Sequence, residues 1–535
     1  MSYQEERDLV VRADRIHLAP GGDSAGAERA EAVLIRRGLI DAVGSFAELR
    51  SSAPGAETLD LSGLTVTPGL TDAHVHLLEW AVRRRGVDLV RTRSPVEAAE
   101  AVSDHAADHP EGWVLGRGWN QHRWTDAPHR SHLDSVVSHR PVVLQSLDMH
   151  SLWANSAALR AAGIDAGTAD PEGGRIERDE GGEPTGVVQE NAMPLLERVV
   201  PPAGPAERRA ALLEAQTVLH RWGVTGVHTV EPDSLAFLEG FRDRGLLRLR
   251  VLQHLPLAKL DDAIRLGIRS GFGGDWVRIG GVKMFLDGAL GSLTALMREP
   301  YEGSGDRGVQ TLPPEDFRAA ATRGARAGLA MTVHAIGDAA NDLALEVLAS
   351  AEARLHGRVP HRVEHAQLLG GDLLGAGDGA PDPRLRGLVC SVQPSHLMTD
   401  WPAADRHWGD RARYAYPFRS LEAAGAILAL GSDAPVDTPD PRLGLHAAVL
   451  RQDLDGAPAD GWYPEERLDP PRALAGYTAG PARAAGDPRQ GSLRRGSFAD
   501  LVAWETDPLN APAEALRDLR AALTMVGGEV VWSDR

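Results

Sequence analysis

Eight short apolar runs, helical stretches between most of them, and no G-x-G-x-x-G after the first run predict an α/β chain folded as a (β/α)8 TIM-like barrel. The runs fall at residues 69–76, 224–230, 247–254, 277–285, 329–334, 362–365, 388–393 and 426–431. Each is strand-sized and most are largely apolar, the pattern of a strand buried on both faces. Between them, residues 205–222 set Leu212, Leu213, Val218, Leu219 and Trp222 at helical spacing and stop at Gly223. Residues 338–356 do the same with Leu343, Leu345, Val347 and Leu348. An open doubly wound sheet is the alternative topology, and the missing dinucleotide fingerprint counts against it.

The chain ends read differently. Residues 9–16, 31–36 and 39–43 are apolar or alternating and are punctuated by Gly and Pro, as are residues 491–493, 499–504 and 529–532. The two ends are expected to combine into a small β-sandwich domain, residues 1–66 with 485–535, flanking a barrel over residues 67–484. Two independent terminal decorations are the competing arrangement. The interval of about 77–204 is too long for one crossover and carries Trp113, Trp119, His122, Trp124, His129 and Trp153. It reads as an insertion after the first strand, on the side where barrel active sites form.

Composition narrows the function. The chain has 535 residues, is 43% hydrophobic and carries a formal net charge of −18. That charge argues against a nucleic-acid partner, which calls for clustered Lys and Arg, and favours solubility. The single cysteine, Cys390, excludes a disulfide framework and nearly excludes a thiolate metal site. Residues 1–10 are charged at Glu5, Glu6, Arg7 and Asp8, so no signal peptide is expected. No run of about 18 apolar residues suggests a membrane span. The expectation is a cytoplasmic protein acting on a small-molecule substrate, with no nucleic acid or membrane partner and a homo-oligomer left open.

The chemistry sits at the ends of the apolar runs. The first ends in Asp72-Ala73-His74-Val75-His76, and residues two apart on a strand share a face. His74 and His76 therefore point together toward the barrel axis, a spacing suited to one metal ion. The fifth run ends at His334, the sixth at His365 and the eighth at Asp433, and the fourth carries Lys283. Any one of these histidines is more often a surface or core residue, and an Asp after Gly-Ser is more often a turn residue. The joint pattern is stronger than its parts. Four imidazoles and a carboxylate suit Zn²⁺, one or two ions, with Mn²⁺, Fe²⁺ or Co²⁺ as alternatives. Lys283 stands out further, because 57 basic residues include two lysines, Lys259 and Lys283.

The chain resembles the amidohydrolase superfamily and, within it, amidohydrolase family 3, which includes N-substituted formamide deformylase. The matching stretches are Pro68-Gly69-Leu70-Thr71-Asp72-Ala73-His74-Val75-His76, Val282-Lys283-Met284-Phe285-Leu286-Asp287-Gly288, His334-Ala335-Ile336-Gly337-Asp338, Val363-Glu364-His365-Ala366-Gln367, Ser391-Val392-Gln393-Pro394-Ser395-His396 and Gly431-Ser432-Asp433-Ala434-Pro435. The resemblance implies that His74 and His76 bind the more buried metal, and that Asp433 is a ligand and general base. It implies that His334 and His365 hold a second metal, and that Lys283 carries a carbamate bridging both. A plain ammonium would repel a cation, whereas a carbamate is an anion with two oxygens; an ordinary salt bridge is the alternative for Lys283.

Candidate substrate contacts are Asp287, His396, His150 and Glu190. Trp119 and Trp124, with Arg117, are expected to line an apolar mouth, against the alternative that they form an ordinary subdomain core. The function implied is hydrolysis of a non-peptide C–N bond in a small molecule such as an N-substituted formamide. Deamination or cyclic-amide hydrolysis on the same site, and metal binding without turnover, are the competing functions; a binding module has no use for a general base at Asp433.

Overall fold

A computed structural model describes residues 8–20, 29–120, 124, 126–147, 150–232, 234–350, 355, 357, 359–377 and 379–534. His122 and His356 lie outside the described residues. The chain divides into two compact units, Met1–Leu77 with Gln216–Arg535, and Leu78–Ala215.

In the first unit, eight parallel strands hydrogen-bond in sequence order. They are β1 (Leu70–Val75), β2 (Val224–Thr229), β3 (Arg250–Pro256), β4 (Val277–Phe285), β5 (Met331–Ala335), β6 (Arg362–His365), β7 (Val389–Val392) and β8 (Ile427–Leu430). A bridge between Val75 and Ala434 joins the two edges and closes the (β/α)8 barrel. Strand β1 is buried at every residue, because side chains on one face fill the barrel and those on the other meet the surrounding helices. The helix preceding β2 spans Pro205–Arg221. Gly223 then takes φ +81°, and a Cβ there would meet the Trp504 and Val502 side chains at about 3.0 Å. The helix after β5, expected to reach 356, spans Asp338–Leu348.

The chain ends meet in one seven-stranded sheet. Strands Leu9–His17, Arg29–Arg36, Leu39–Gly44 and Glu57–Pro68 are joined by Leu501–Trp504, Ala521–Val526 and Glu529–Ser533. The seam is antiparallel, with Leu501 opposite Pro68 and Trp504 opposite Thr65. Alternation gives the sheet two cores. Val11, Val33 and Ile35 pack on one side. Val10, Ala32 and Leu34 pack on the other with Leu49, which is on the helix Phe46–Ser52. The sheet is tied to the barrel by Arg250 of β3, whose Nη2 donates to Asp500 at 2.9 Å and whose Nε donates to the same carboxylate. This pair is buried, so removing one partner leaves an uncompensated charge.

The unit Leu78–Ala215 has its own six-stranded sheet, in the order Gly174–Arg178, Pro184–Glu190, Ser151–Ala154, Val142–Ser146, Val114–Trp119, Val87–Asp88. Its core is where the tryptophans go. Trp119, Trp124 and Trp153 are at most 8% exposed, with ring centroids 5.7–6.2 Å apart. Trp119 Nε1 donates to the Leu144 carbonyl and Trp124 Nε1 to that of Thr92. The expectation that Trp119 and Trp124 line a substrate mouth is therefore corrected. Three large rings bury far more apolar area in contact with one another than at a rim, and the Trp119 and Trp124 N–H groups find carbonyls inside.

Replacing Trp119 with Ala is expected to cost about 3–5 kcal/mol of stability in denaturant unfolding. Activity per folded molecule should be unchanged across substrates of different size.

His220 gives a second expectation. Burial pushes its imidazole down to about 4, with the Val224 carbonyl at 3.0 Å from Nδ1 acting the other way. An unfolded histidine titrates near 6.5. The unfolded chain thus binds the extra proton first, and the stability His220 contributes at neutral pH is lost as pH falls from about 6.5 toward 4. The Tm difference between wild type and His220→Gln should shrink over that interval.

Candidate metal centre

The donors converge where β1 meets the end of β8. The Asp433 N–H donates to the His74 carbonyl at 2.7 Å, and the His76 N–H to the Ala434 carbonyl at 2.8 Å. Buried Asp72 locks the junction by accepting from the His74 and Ser432 amides and, at 2.6 Å, from the Ser432 hydroxyl. Burial pushes this carboxyl up to about 6 against those donors. Asp433 itself adopts φ +57°, the left-handed region, which costs a residue of this kind about 1–3 kcal/mol. The turn aims its carboxylate back over the barrel, with Oδ1 3.3 Å from His74 Nε2 and 3.5 Å from His76 Nε2.

Two overlapping donor groups result. One ligand atom each from His74, His76 and Asp433 lie within 4.8 Å of one another, and the same holds for His365, His396 and Asp433. His365 also leaves its strand with φ +70°. Buried His365 Nδ1 and His396 Nε2 have no hydrogen-bond partner among the described residues. Imidazoles gathered around one carboxylate, with ring nitrogens left unpartnered, suit a divalent cation, which takes neutral His nitrogen and carboxylate oxygen together.

Neighbouring groups set the histidine tautomers. Glu364 Oε2 lies 2.5 Å from His74 Nδ1, which places the proton there and leaves the Nε2 lone pair toward Asp433. Burial alone would raise the Glu364 carboxyl, but Arg362 and His74 hold it well below the usual range. Arg362 is fully buried inside the barrel. It also donates to the Ala73 carbonyl and the Ser391 hydroxyl, both at 2.6 Å, and to His228 Nδ1 at 3.0 Å. His334 Nε2 lies 3.0 Å from the Gly288 carbonyl, so its proton sits on Nε2 and its Nδ1 is the free donor. Its ring contacts His365 at 4.5 Å between centroids.

Lys283 is 5% exposed on β4 and forms no ion pair among the described residues. Burial lowers its pKa, with Glu364 and Asp433 opposing. A larger neutral fraction is the form of an amine that reacts with CO2.

Other expected contacts have partners of their own. Asp287 is corrected from substrate contact to buttress. At 2% exposure it accepts from the amides of Leu296, Ile336 and Gly337, pinning the segment after β4 to the end of β5. Burial pushes its carboxyl up to about 7 against those donors. His150 and Glu190 are exposed and pair at 3.1 Å within the unit Leu78–Ala215. Glu364 and Arg362 were not singled out in the sequence. Their signal was two charges, two apart, in a run short enough to be buried on both faces.

Fold and site together define a barrel protein with a histidine–carboxylate centre at the C-terminal ends of its strands. The chain belongs to the amidohydrolase family, whose model matches residues 57–532. It is 35% identical over 527 residues to Protein LONG AFTER FAR-RED 3 of Arabidopsis thaliana, covering 94% of this chain and 88% of that protein. It is 30% identical over 552 residues to N-substituted formamide deformylase of Arthrobacter pascens, covering 98% of each. The structure is similar to that of a metal-dependent hydrolase from Pyrococcus horikoshii OT3, with TM-score 0.78, 26% identity, and 95% and 99% of the two chains covered.

Glu364→Gln is expected to weaken metal binding about 10–100-fold, the usual effect of removing a carboxylate that orients a ligating histidine. Competition with a chelator measures this directly, and Glu364→Ala should be at least as damaging.

Proposed function

We propose that the protein hydrolyses a non-peptide C–N bond of a small molecule, with an N-substituted formamide as the substrate type. The observation that carries this reading is the convergence of His74, His76 and Asp433 at the barrel mouth. Near-full-length similarity to the Arthrobacter deformylase supports the choice of substrate. A divalent ion held by these residues, with Zn²⁺ the best match to the donors, would supply Lewis acidity and lower the pKa of water toward about 7.

The chain supplies the rest. The Asp433 carboxylate accepts a proton from the attacking water and returns it to the leaving nitrogen, so that formamide and water give formate and amine. Burial acts against the ionised form needed for the first transfer, and a cation held beside the carboxylate would favour it. Glu364 keeps His74 oriented throughout. Lys283, as a carbamate, would present two anionic oxygens from β4, opposite β8 in the ring. His396 would stand as a further imidazole beside the reacting carbonyl.

The test is formate release from a panel of formamides, amides, lactams and aminated heterocycles by zinc-loaded protein. Formate from the formamides is expected, with Asp433→Asn about 10²–10⁴-fold slower. Ammonia from the heterocycles without formate would replace this reading with deamination.

A further inference from the structure

In the unit Leu78–Ala215 one face of the six-stranded sheet is only partly covered. Val114, Val142, Leu144 and Trp153 turn into the core that holds the tryptophans. Their neighbours along each strand turn the other way, because side-chain direction alternates. There Val143 and Leu152 pack with Ala158 and Leu159 of the helix Ser156–Ala162, and Leu115 is only half-buried beside them. This second face floors a cavity of about 780 Å³ with Leu115, Arg117, Val143, Gln145 and Leu152, and Trp113 lines it as well. Further walls come from the helices Leu77–Arg83 and Pro95–Asp108 and from the segment between Glu197 and Glu207. Every lining residue belongs to this unit, and none is a donor of the metal centre.

Arg117 gives the cavity its charge. The strand register shifts between Arg117 and Trp119, where Gly118 takes φ +94°, and Trp119 joins the tryptophan core while Arg117 lines the cavity. Arg117 is half-buried and makes no ion pair or side-chain hydrogen bond among the described residues. The other two arginines of the lining have partners, Arg83 with Glu79 at 2.7 Å and Arg85 with Glu214 at 3.4 Å. Four carboxylates also line the cavity, at Asp108, Glu111, Glu197 and Glu207, but all four are exposed, where water and salt screen them. The half-buried charge left without a counterion is therefore positive. A guanidinium in that position suits a carboxylate, which it can grip through two parallel hydrogen bonds.

We propose that this cavity is a second binding site, for a small aromatic carboxylate whose acid group is held by Arg117 and whose ring lies on Leu115, Val143 and Leu152 beside Trp113. Its volume falls within the range of about 300–1,000 Å³ usual for ligand sites, and apolar walls with a few placed polar groups are their usual lining. Gln145 stands opposite Arg117 in the register and its Oε1 accepts from Arg83 at 3.5 Å, so its NH2 group is the part left to donate to the same acid. The site stands whether or not the metal centre hydrolyses a C–N bond.

Calorimetric titration of the zinc-loaded full chain with naphthylacetate, naphthylethanol and naphthylethylamine tests this, since the three share one apolar body and differ in charge. The carboxylate should bind one molecule per chain, at least about tenfold tighter than the alcohol, the scale of one charge-assisted contact. Arg117→Gln should reduce it to the affinity of the alcohol while the alcohol itself binds as before, which shows the cavity intact. Arg117→Lys, which keeps the charge, should retain part of the preference. Leu115→Ala should weaken acid and alcohol alike. Asp433→Asn should leave the affinity for the carboxylate unchanged, because the metal centre is not where it binds. No binding of the carboxylate, equal affinities for the three probes or tightest binding of the amine would overturn the proposal. So would a preference for the carboxylate that survives Arg117→Gln, or one that is lost in Asp433→Asn.

Discussion

Closure of the barrel between β1 and β8 is the constraint on which the site depends. His74 and Asp433 are separated by most of the chain, yet the Asp433 amide reaches the His74 carbonyl at 2.7 Å. The Val75–Ala434 bridge and the Asp72–Ser432 hydrogen bonds hold that register. A slip of one residue there would turn His74 and His76 to the opposite face. The same junction keeps Asp433 in the left-handed region, a conformation that persists only where its surroundings over-determine it.

Beneath the donors lies a charged layer that a stability argument alone would not favour. Arg362 and Glu364 are fully buried, and a buried ion pair is often no better for folding than apolar residues of the same volume. Here the pair has a positional role. Arg362 is fixed by the Ala73 carbonyl and Ser391, Glu364 is fixed by Arg362, and His74 is fixed by Glu364. The chain of contacts converts the rigidity of three strands into the orientation of one imidazole.

Much of this was legible in the sequence. Most of the eight strands announced themselves as short, largely apolar runs because a strand buried on both faces has little room for polar residues. Of the residues in the two donor groups, His74, His76, His365 and Asp433 fall at or just beyond the end of such a run, whereas His334, expected as a ligand, is in neither group. Tertiary choices were less visible. Sequence shows that Trp119 and Trp124 are large and clustered, but whether a ring faces a cavity or another ring depends on the sheet that brings Trp153 beside them. Asp287 looked like a free carboxylate because the amides it accepts from, at Leu296, Ile336 and Gly337, become its neighbours only when β5 is in place. Glu364 was hidden by its position beside His365, since adjacent residues on a strand point apart and their partners lie on different elements.

The seam between Leu501–Trp504 and Glu57–Pro68 has a consequence for biosynthesis. The strand that leads directly into β1 finds one of its two neighbours only near the far end of the chain. During translation the N-terminal strands leave the ribosome with an open edge, and they keep it while the whole barrel is made. An unpaired edge is a template for pairing with another chain. The last strands synthesised therefore act as a closing stitch, and the nascent protein depends on prompt completion, or on a chaperone, to shield that edge until it arrives.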